Sequence, residues 1–322
     1  MKAFIVSILC LTAVLTSACH SATSRPGDRD QKIPEGSNIS KAYGTPAQIA
    51  ELEDGAIDES SGVVASRRNP GLFWTHNDSG DGPFLYAFDR KGGKRGTWRV
   101  TGARALDWED IAAGPGTGGA AQPSLYIGDI GDNGKKREEI IVYRVTEPVV
   151  TASDADTDRN EPQQTEPAEA IRLRYPDGQH DAEALAVHPS TGDLYIITKT
   201  GGRSPAGVYK LAAPFSSSTI NTLERVGKLS TPGLYPGMIT GADISPDGRK
   251  IILCDYFNAY ELDLPASSGG KFEDIWKQSI SIVGLGARPQ GEAVCYRLDG
   301  QAILATSEGS PAALIEATAL KR

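Results

Sequence analysis

The chain reads as all-β, a five-bladed propeller closed by an N-terminal strand in its last blade. Three observations predict this. First, five strings share one pattern: Ser61-Gly62-Val63-Val64-Ala65, Glu109-Asp110-Ile111-Ala112-Ala113, Glu183-Ala184-Leu185-Ala186-Val187, Thr240-Gly241-Ala242-Asp243-Ile244 and Glu292-Ala293-Val294-Cys295-Tyr296. Each opens on a side-chain oxygen and runs into a small or apolar strand. Their first residues are 48, 74, 57 and 52 positions apart, and a period near fifty built of short strands is the signature of a propeller. Second, a turn and another apolar run follow each string. Third, Gln48 to Leu52 reads as a strand with no partner of its own, while the last repeat lacks a fourth strand. Lending that strand to the last repeat closes the ring and protects an open edge, which favours five blades over the alternative of six.

Taken in order, the chain begins with Lys2, an apolar run from Ala3 to Leu15, then Thr16-Ser17-Ala18-Cys19. Residues 1–18 are expected to be a secretory signal peptide, too short to span a bilayer comfortably. Small residues before a cysteine resemble the lipobox of bacterial lipoproteins, which implies lipidation at Cys19; Thr16 departs from the usual leucine. Residues 19–44, rich in Ser, Asp, Pro and Gly without apolar periodicity, are expected to form a flexible tether. The propeller domain is assigned to 45–322. The expected address is the cell envelope, with membrane contact through the lipid alone.

A chain of 322 residues with 39% hydrophobic content can bury a large core, and blades share one core too closely to be separate domains. Its formal net charge of −8 argues against nucleic acid as a partner, since phosphate backbones demand a basic footprint. A monomer is expected. After processing, Cys254 and Cys295 remain, both in strand patterns. A disulfide and two buried thiols are both compatible with the envelope.

Second strands are expected at Leu72 to His76, Leu125 to Asp129, Leu194 to Thr198, Ile251 to Asp255 and Ile303 to Ser307. Turns such as Asn69-Pro70-Gly71 and Pro246-Asp247-Gly248 join them to the first strands as hairpins. Third strands carry Tyr86, Tyr143, Tyr209 and Tyr260, with Ile315 in the last repeat, a column suited to packing between blades. Fourth strands are weaker: Gly96 to Thr101, Glu169 to Arg174, Leu223 to Leu229 and Ser279 to Val283. The acidic stretch Val149 to Pro167 reads as a solvated insertion, because Arg159 and Thr165 stand where a calcium loop needs Gly and Glu.

Inner strands surround the channel of a propeller, so Ser61, Glu109, Glu183, Thr240 and Glu292 are expected to meet near the axis. Three carboxylates in one small space repel unless a cation or basic group stands among them. Calcium suits such an all-oxygen set, whereas zinc prefers nitrogen and sulfur. The structural alternative is that these residues cap strand ends or pair with Arg104 and Arg288. The ends of the second strands form another polar column: His76, Asp129, Thr198, Asp255 and Ser307. The loops beyond, Asn77-Asp78-Ser79-Gly80-Asp81 and Gly131-Asp132-Asn133-Gly134, combine carboxylates with glycine, though turns favour those residues for their own reasons. Candidate catalytic residues are therefore Asp78, Asp129, Asp132 and His76. Candidate ligand contacts are Asn77, Asn133, His180, Lys199, Arg203 and Arg288. No phosphate-cradling Gly-rich loop, zinc-protease helix or nucleophile elbow is present.

The order Ser61, Glu109, Glu183, Thr240, Glu292 resembles the Ser, Glu, Glu, Ser, Glu set of the calcium-activated nucleotidases, the apyrase family, with Thr240 in place of a serine. That resemblance, confined to five strings of about seven residues, implies a five-bladed propeller with an axial calcium. From it follows the expected activity, calcium-dependent hydrolysis of a phosphorylated small molecule, with Asp78, Asp129 or Asp132 activating water and Lys199 or Arg203 stabilising charge. The rival expectation is a non-catalytic binding or scaffold propeller whose partner is an envelope protein or glycan.

Overall fold

The computed structural model describes residues 36–116, 122–233, 235–266, 269–286, 288 and 290–321. The expected signal peptide, Cys19 and the expected tether up to residue 35 lie outside the described residues.

Strand β1 (Ala47–Glu51) precedes the first blade, which consists of β2 (Ser60–Ala65), β3 (Leu72–Asn77), β4 (Phe84–Asp89) and β5 (Lys94–Arg99). The second contains β6 (Trp108–Gly114), β7 (Ser124–Asp129), β8 (Ile140–Thr146) and β10 (Glu169–Arg174), with the two-residue β9 (Gln163–Gln164) in its last connection. The third is β11 (Ala182–Val187), β12 (Leu194–Thr198), β13 (Ala206–Leu211) and β15 (Glu224–Leu229), again with a short strand, β14 (Asn221–Thr222). The fourth is β16 (Gly241–Ile244), β17 (Lys250–Cys254), β18 (Asn258–Asp263) and β19 (Ser281–Gly284). The fifth holds only β20 (Gly291–Tyr296), β21 (Ala302–Ser307) and β22 (Ala313–Thr318) of its own. β1 completes it, antiparallel to β22 with Ala47 opposite Glu316 and Glu51 opposite Ala313. The expected closure is thus present.

Alternation of side chains across each sheet places one apolar face against each neighbouring blade. Five apolar clusters result, one at each blade boundary, including the boundary between the fifth blade and the first. Tyr86, Tyr143, Tyr209 and Tyr260 are all buried in them. Three hydroxyls of that column also find carboxylates: Tyr86 donates to Asp81 at 2.6 Å, Tyr209 to Asp177 at 3.0 Å and Tyr260 to Asp255 at 2.6 Å. Cys254 and Cys295 are free, buried thiols, and Cys254 Sγ donates to the Glu292 carbonyl.

An outer strand with unpaired backbone groups invites association, and here each is covered by a segment of the next repeat or, for the fourth blade, by the N-terminal residues. β9 pairs in parallel with β5, and β14 pairs in parallel with β10. The 3-10 turn Phe272–Lys277 lies on β15, where Gly227 leaves room for Trp276. On the fifth blade, Gly92 accepts from Glu53 N at 2.9 Å and Arg90 pairs with Glu316 at 2.7 Å. The stretch Val149 to Pro167 is a largely exposed insertion, with only Asp154 and Thr165 buried, and it has a structural use as well: it covers the edge of the first blade, and Arg159 pairs with Asp81. Nor are all residues of the expected tether free. Ile39 bridges Ile282 of β19, Tyr43 bridges Ala319, and Tyr43 Oη donates to Glu261, so the bonded domain begins near Asn38 rather than at 45. Backbone pairing and a half-buried ring outweigh the polar composition that suggested a tether.

At the axis the inner strands are joined by side chains. Asp110 of β6 reaches across to accept from Leu185 N of the third blade at 2.9 Å and Ala242 N of the fourth at 3.1 Å. Asp243 accepts from Tyr296 N of the fifth at 2.9 Å. Ser60 Oγ bonds Thr306 Oγ1 at 2.8 Å, which links the fifth blade to the first. Each buried N–H left without an acceptor costs about 1–3 kcal/mol. Asp110 also accepts from its neighbour Ile111 N at 2.8 Å, so alanine removes the acceptor of three N–H groups, and Asp110→Ala is expected to lower unfolding free energy by about 3 kcal/mol or more, with Asp110→Asn in between. Denaturant midpoints measure this, and an unchanged midpoint would show that the axis is held otherwise. Deleting 46–53 removes β1 and the buried Leu52; a loss of about 3 kcal/mol or more should lower Tm of the whole cooperative transition by about 6–12 °C. Circular dichroism decides between that and local fraying.

A candidate cation site at the mouth of the channel

Four of the five expected axial residues share one backbone device. The ladder of each inner hairpin slips by one residue between Ser60 and Gly62, Trp108 and Asp110, Ala182 and Ala184, and Gly291 and Ala293. The extra residues are Ser61, Glu109, Glu183 and Glu292. A bulge leaves one residue unpaired and re-aims its side chain, and bulges recur beside active sites. Thr240 stands just ahead of β16, its N–H on Cys254 O at 2.9 Å.

The two hydroxyls are used within the scaffold. Ser61 Oγ donates to Glu109 O at 2.7 Å, and Thr240 Oγ1 lies 3.3 Å from Gly291 O and 3.4 Å from Cys254 O. Glu183 is ion-paired with Lys199, whose Nζ also donates to Tyr256 Oη at 3.0 Å. Glu292 accepts from Gln290 Nε2 at 3.0 Å. Glu109 differs. It is 4% exposed, and among the described residues its carboxylate has neither a hydrogen-bond donor nor a cationic partner. Instead it faces two further acids: carboxylate oxygens of Asp78, Asp107 and Glu109 lie within 4.8 Å of one another. Gly131 packs against this group so closely that a Cβ there would stand 2.1 Å from Glu109 Oε1 and 2.4 Å from Asp107 Oδ2.

The electrostatics follow. Burial, then repulsion from Glu183, Asp78, Asp107 and Asp181, raises the proton affinity of Glu109 far above the carboxylate range. Burial and Asp78 raise Asp107. Burial raises Glu183 against the opposing pull of Lys199, and burial raises Glu292 with help from Glu308 and Glu183. Burial opposes the charge on Lys199, but Glu183 outweighs it and the ammonium is held. Every donor in the group is oxygen, the chemistry of a hard cation such as calcium.

Of the other candidate residues, Asp78 alone among the four catalytic ones is partly open, in the loop after β3. Asp129 is fully buried, paired with Arg137 at 2.8 Å and accepting from Leu106 and Asp107 N–H, so it holds the 106–107 loop in place. Asp132 caps the Lys136 and Arg137 N–H groups. His76 is buried against Trp108 with Nδ1 on Asn77 O and Nε2 without a bonded partner, and burial holds it neutral by lowering its pKa. Asn77 ties its loop to Ala56 and Asp81. His180 bonds Asp177 and Tyr209 in the turn before β11, while Asn133 and Arg203 are exposed. Arg288 is 7% exposed, its guanidinium on Asp255 O and Thr306 O and against Gly291, with Nε unpartnered. The polar column at the second-strand ends is therefore mostly turn chemistry: Asp255 accepts from Phe257 and Asn258 N–H, and Thr198 from Gly207 N–H. The residues missed are Asp107 and Asp181. Asp181 is 7% exposed and accepts from Asp132 N at 2.9 Å. Both stand two positions ahead of an axial glutamate, an Asp-x-Glu signal present in the second and third strings.

No protein-family model matches the chain, and no curated protein matches it. Among solved structures, that of U3-55K is similar at 11% identity and a TM-score of 0.36, over 80% of this chain and 67% of that one. A likeness that loose carries no argument about activity, and the architecture rests on the strands and registers described above.

The raised carboxylates make a prediction about pH. The unfolded chain releases these protons near pH 4.5, whereas the folded protein retains them, so their stabilising contribution is complete below that pH and is lost as pH rises through the raised values. In chelator, Tm should fall from about pH 5 upward, through about 8 for Glu292 and on toward about 11 for Glu109, and less steeply in Glu109→Gln, which cannot titrate. Equal slopes would mean that Glu109 is not the strained group.

Proposed function

We propose that this propeller holds a calcium ion at the mouth of its channel and acts there on a phosphorylated small molecule. The observation that carries the reading is Glu109: a buried carboxylate with no donor and no counter-charge, set against Asp78 and Asp107. Isolated buried charge is too costly to persist, so either protons or a cation must neutralise the group. Glu109, Asp107 and Asp78 would hold the ion, with Glu183 and Glu292 completing an acidic ring. Calcium bound there supplies a Lewis acid and a fixed positive charge.

The protein's own contributions are separate. Asp78, partly open, is the candidate to take a proton from water; Lys199, tethered by Glu183 and Tyr256, is the candidate to receive negative charge on a substrate. The order of the five strings, which resembles that of the calcium-activated nucleotidases with Thr240 in place of a serine, supports the same reading. We assign the chain to the cell envelope, anchored through Cys19.

A second reading is favoured by the burial of Asp129, Asp132 and His76, which leaves catalysis resting on Asp78. In it the ion is structural and the propeller binds an envelope protein or glycan. Turnover of phosphorylated small molecules that appears only with calcium selects the enzyme; calcium binding without turnover selects the module.

The ion itself is tested by thermal melts. Calcium at about 100 times its Kd should add about 2.7 kcal/mol over chelator, rising with the logarithm of its free concentration. Magnesium, which prefers a rigid octahedron, should do so poorly. Glu109→Gln should abolish most of the calcium response while leaving the chelated protein as stable or more so. A melting temperature indifferent to calcium and chelator in the unaltered protein would end the proposal.

A further inference from the structure

Six large apolar side chains are exposed among the described residues, and three of them, Ile39 (55%), Leu298 (44%) and Leu320 (55%), stand together. Ile39 and Leu320 line one cavity of about 630 Å³, and Leu298 and Leu320 line the adjoining one of about 540 Å³. Leu298 lies in the turn between β20 and β21, and Leu320 follows β22, whose Thr318 pairs with Ala302 at the start of β21. These are the far ends of strands whose near ends carry Glu292, so the patch and the acidic mouth are on opposite faces, about 17–20 Å apart along a strand.

The patch is also where the chain enters the domain. Ile39 and Tyr43 are bonded to the fourth and fifth blades at this edge, and Gly36 follows Cys19 by only 17 residues. If those residues are the tether that their composition leads one to expect, a chain of that length spans about 23 Å on average, less than the breadth of a domain of this size. With a lipid on Cys19, which is the anchoring read above, this face is held within reach of the bilayer at high effective concentration. Exposed aliphatic side chains beside Lys41 and Lys321 suit the boundary between acyl chains and headgroups, while of the acids lining the same cavities Glu261 and Asp263 are paired with Lys250 and Asp299 with Arg297, leaving Asp247.

We infer that the face bearing Ile39, Leu298 and Leu320 docks on the lipid surface, so that the acidic mouth is presented away from the membrane.

The test uses the full lipidated chain in vesicles of phosphatidylethanolamine and phosphatidylglycerol containing a nitroxide-labelled lipid. An environment-sensitive fluorophore is placed at Lys321→Cys or, on the opposite face, at Ser79→Cys; Cys254 and Cys295 are buried and should stay unlabelled. Quenching should be at least about threefold greater at position 321, and the pair Leu298→Asp with Leu320→Asp should erase the difference without altering the far-ultraviolet spectrum. Equal quenching at both positions in protein that floats with the vesicles overturns the docking while the anchor stands. Failure to float at all removes the anchor, and the docking with it.

Discussion

Five inner strands brought to one axis leave no room for a sixth layer to satisfy what they expose there, so side chains must do it. Asp110 is the main solution. Its carboxylate accepts N–H groups from the third and fourth blades while its own strand belongs to the second. A buried carboxylate with several backbone donors is a stable arrangement, yet it places an acid in the middle of the channel. Burial raises its proton affinity well above the carboxylate range against the pull of its backbone donors, so the floor beneath the mouth is polar rather than charged. The other links, Asp243 to the fifth blade and Ser60 to Thr306, complete the ring with fewer bonds each.

The same ring logic governs the rim. Each blade would end in an open edge, and each is covered by a segment of the blade that follows it, with the N-terminal residues taking that part for the fourth. The core is correspondingly distributed, one apolar cluster per boundary, so no blade is stable by itself. That interdependence explains why short β1 matters beyond its length: Leu52 and Ile49 belong to the cluster joining the fifth blade to the first.

Much of this architecture was legible because a propeller repeats itself. The period near fifty, the opening oxygens and the tyrosine column all follow from one blade geometry used five times, and the orphan strand ahead of the first repeat pointed to the closure. What was not legible depended on departures from the repeat. Asp110 occupies a column that is otherwise Gly or Ala, at Gly62, Ala184 and Ala293; a carboxylate among small residues signals an axial role that periodicity alone conceals. The bulges that turn Glu109, Glu183 and Glu292 out of the ladder have no signature apart from the strings themselves. Asp129 and Asp132 looked catalytic because acids near glycine serve turns and active sites alike, and only their partners, Arg137 and the N–H groups beside it, tell the two apart. Residues 36–44 looked like a tether because pairing of main-chain groups leaves no mark on composition.

The mouth is electrically lopsided, and that asymmetry bears on what it can receive. Asp78, Asp107, Glu109 and Asp181 come from the first three blades, and burial plus mutual repulsion raises Glu109 and Asp107. On the side of the fourth and fifth blades stands Arg288, a nearly buried guanidinium bonded to two carbonyls and to no carboxylate. Lys199 lies between, held by Glu183 and Tyr256. Arg137 is placed on Asp129 and Lys199 on Glu183, so two of the acids here already have their cations. Among the described residues Glu109 is left without one, and burial with the repulsion of Glu183, Asp78, Asp107 and Asp181 leaves a proton or a cation as the ways to neutralise it.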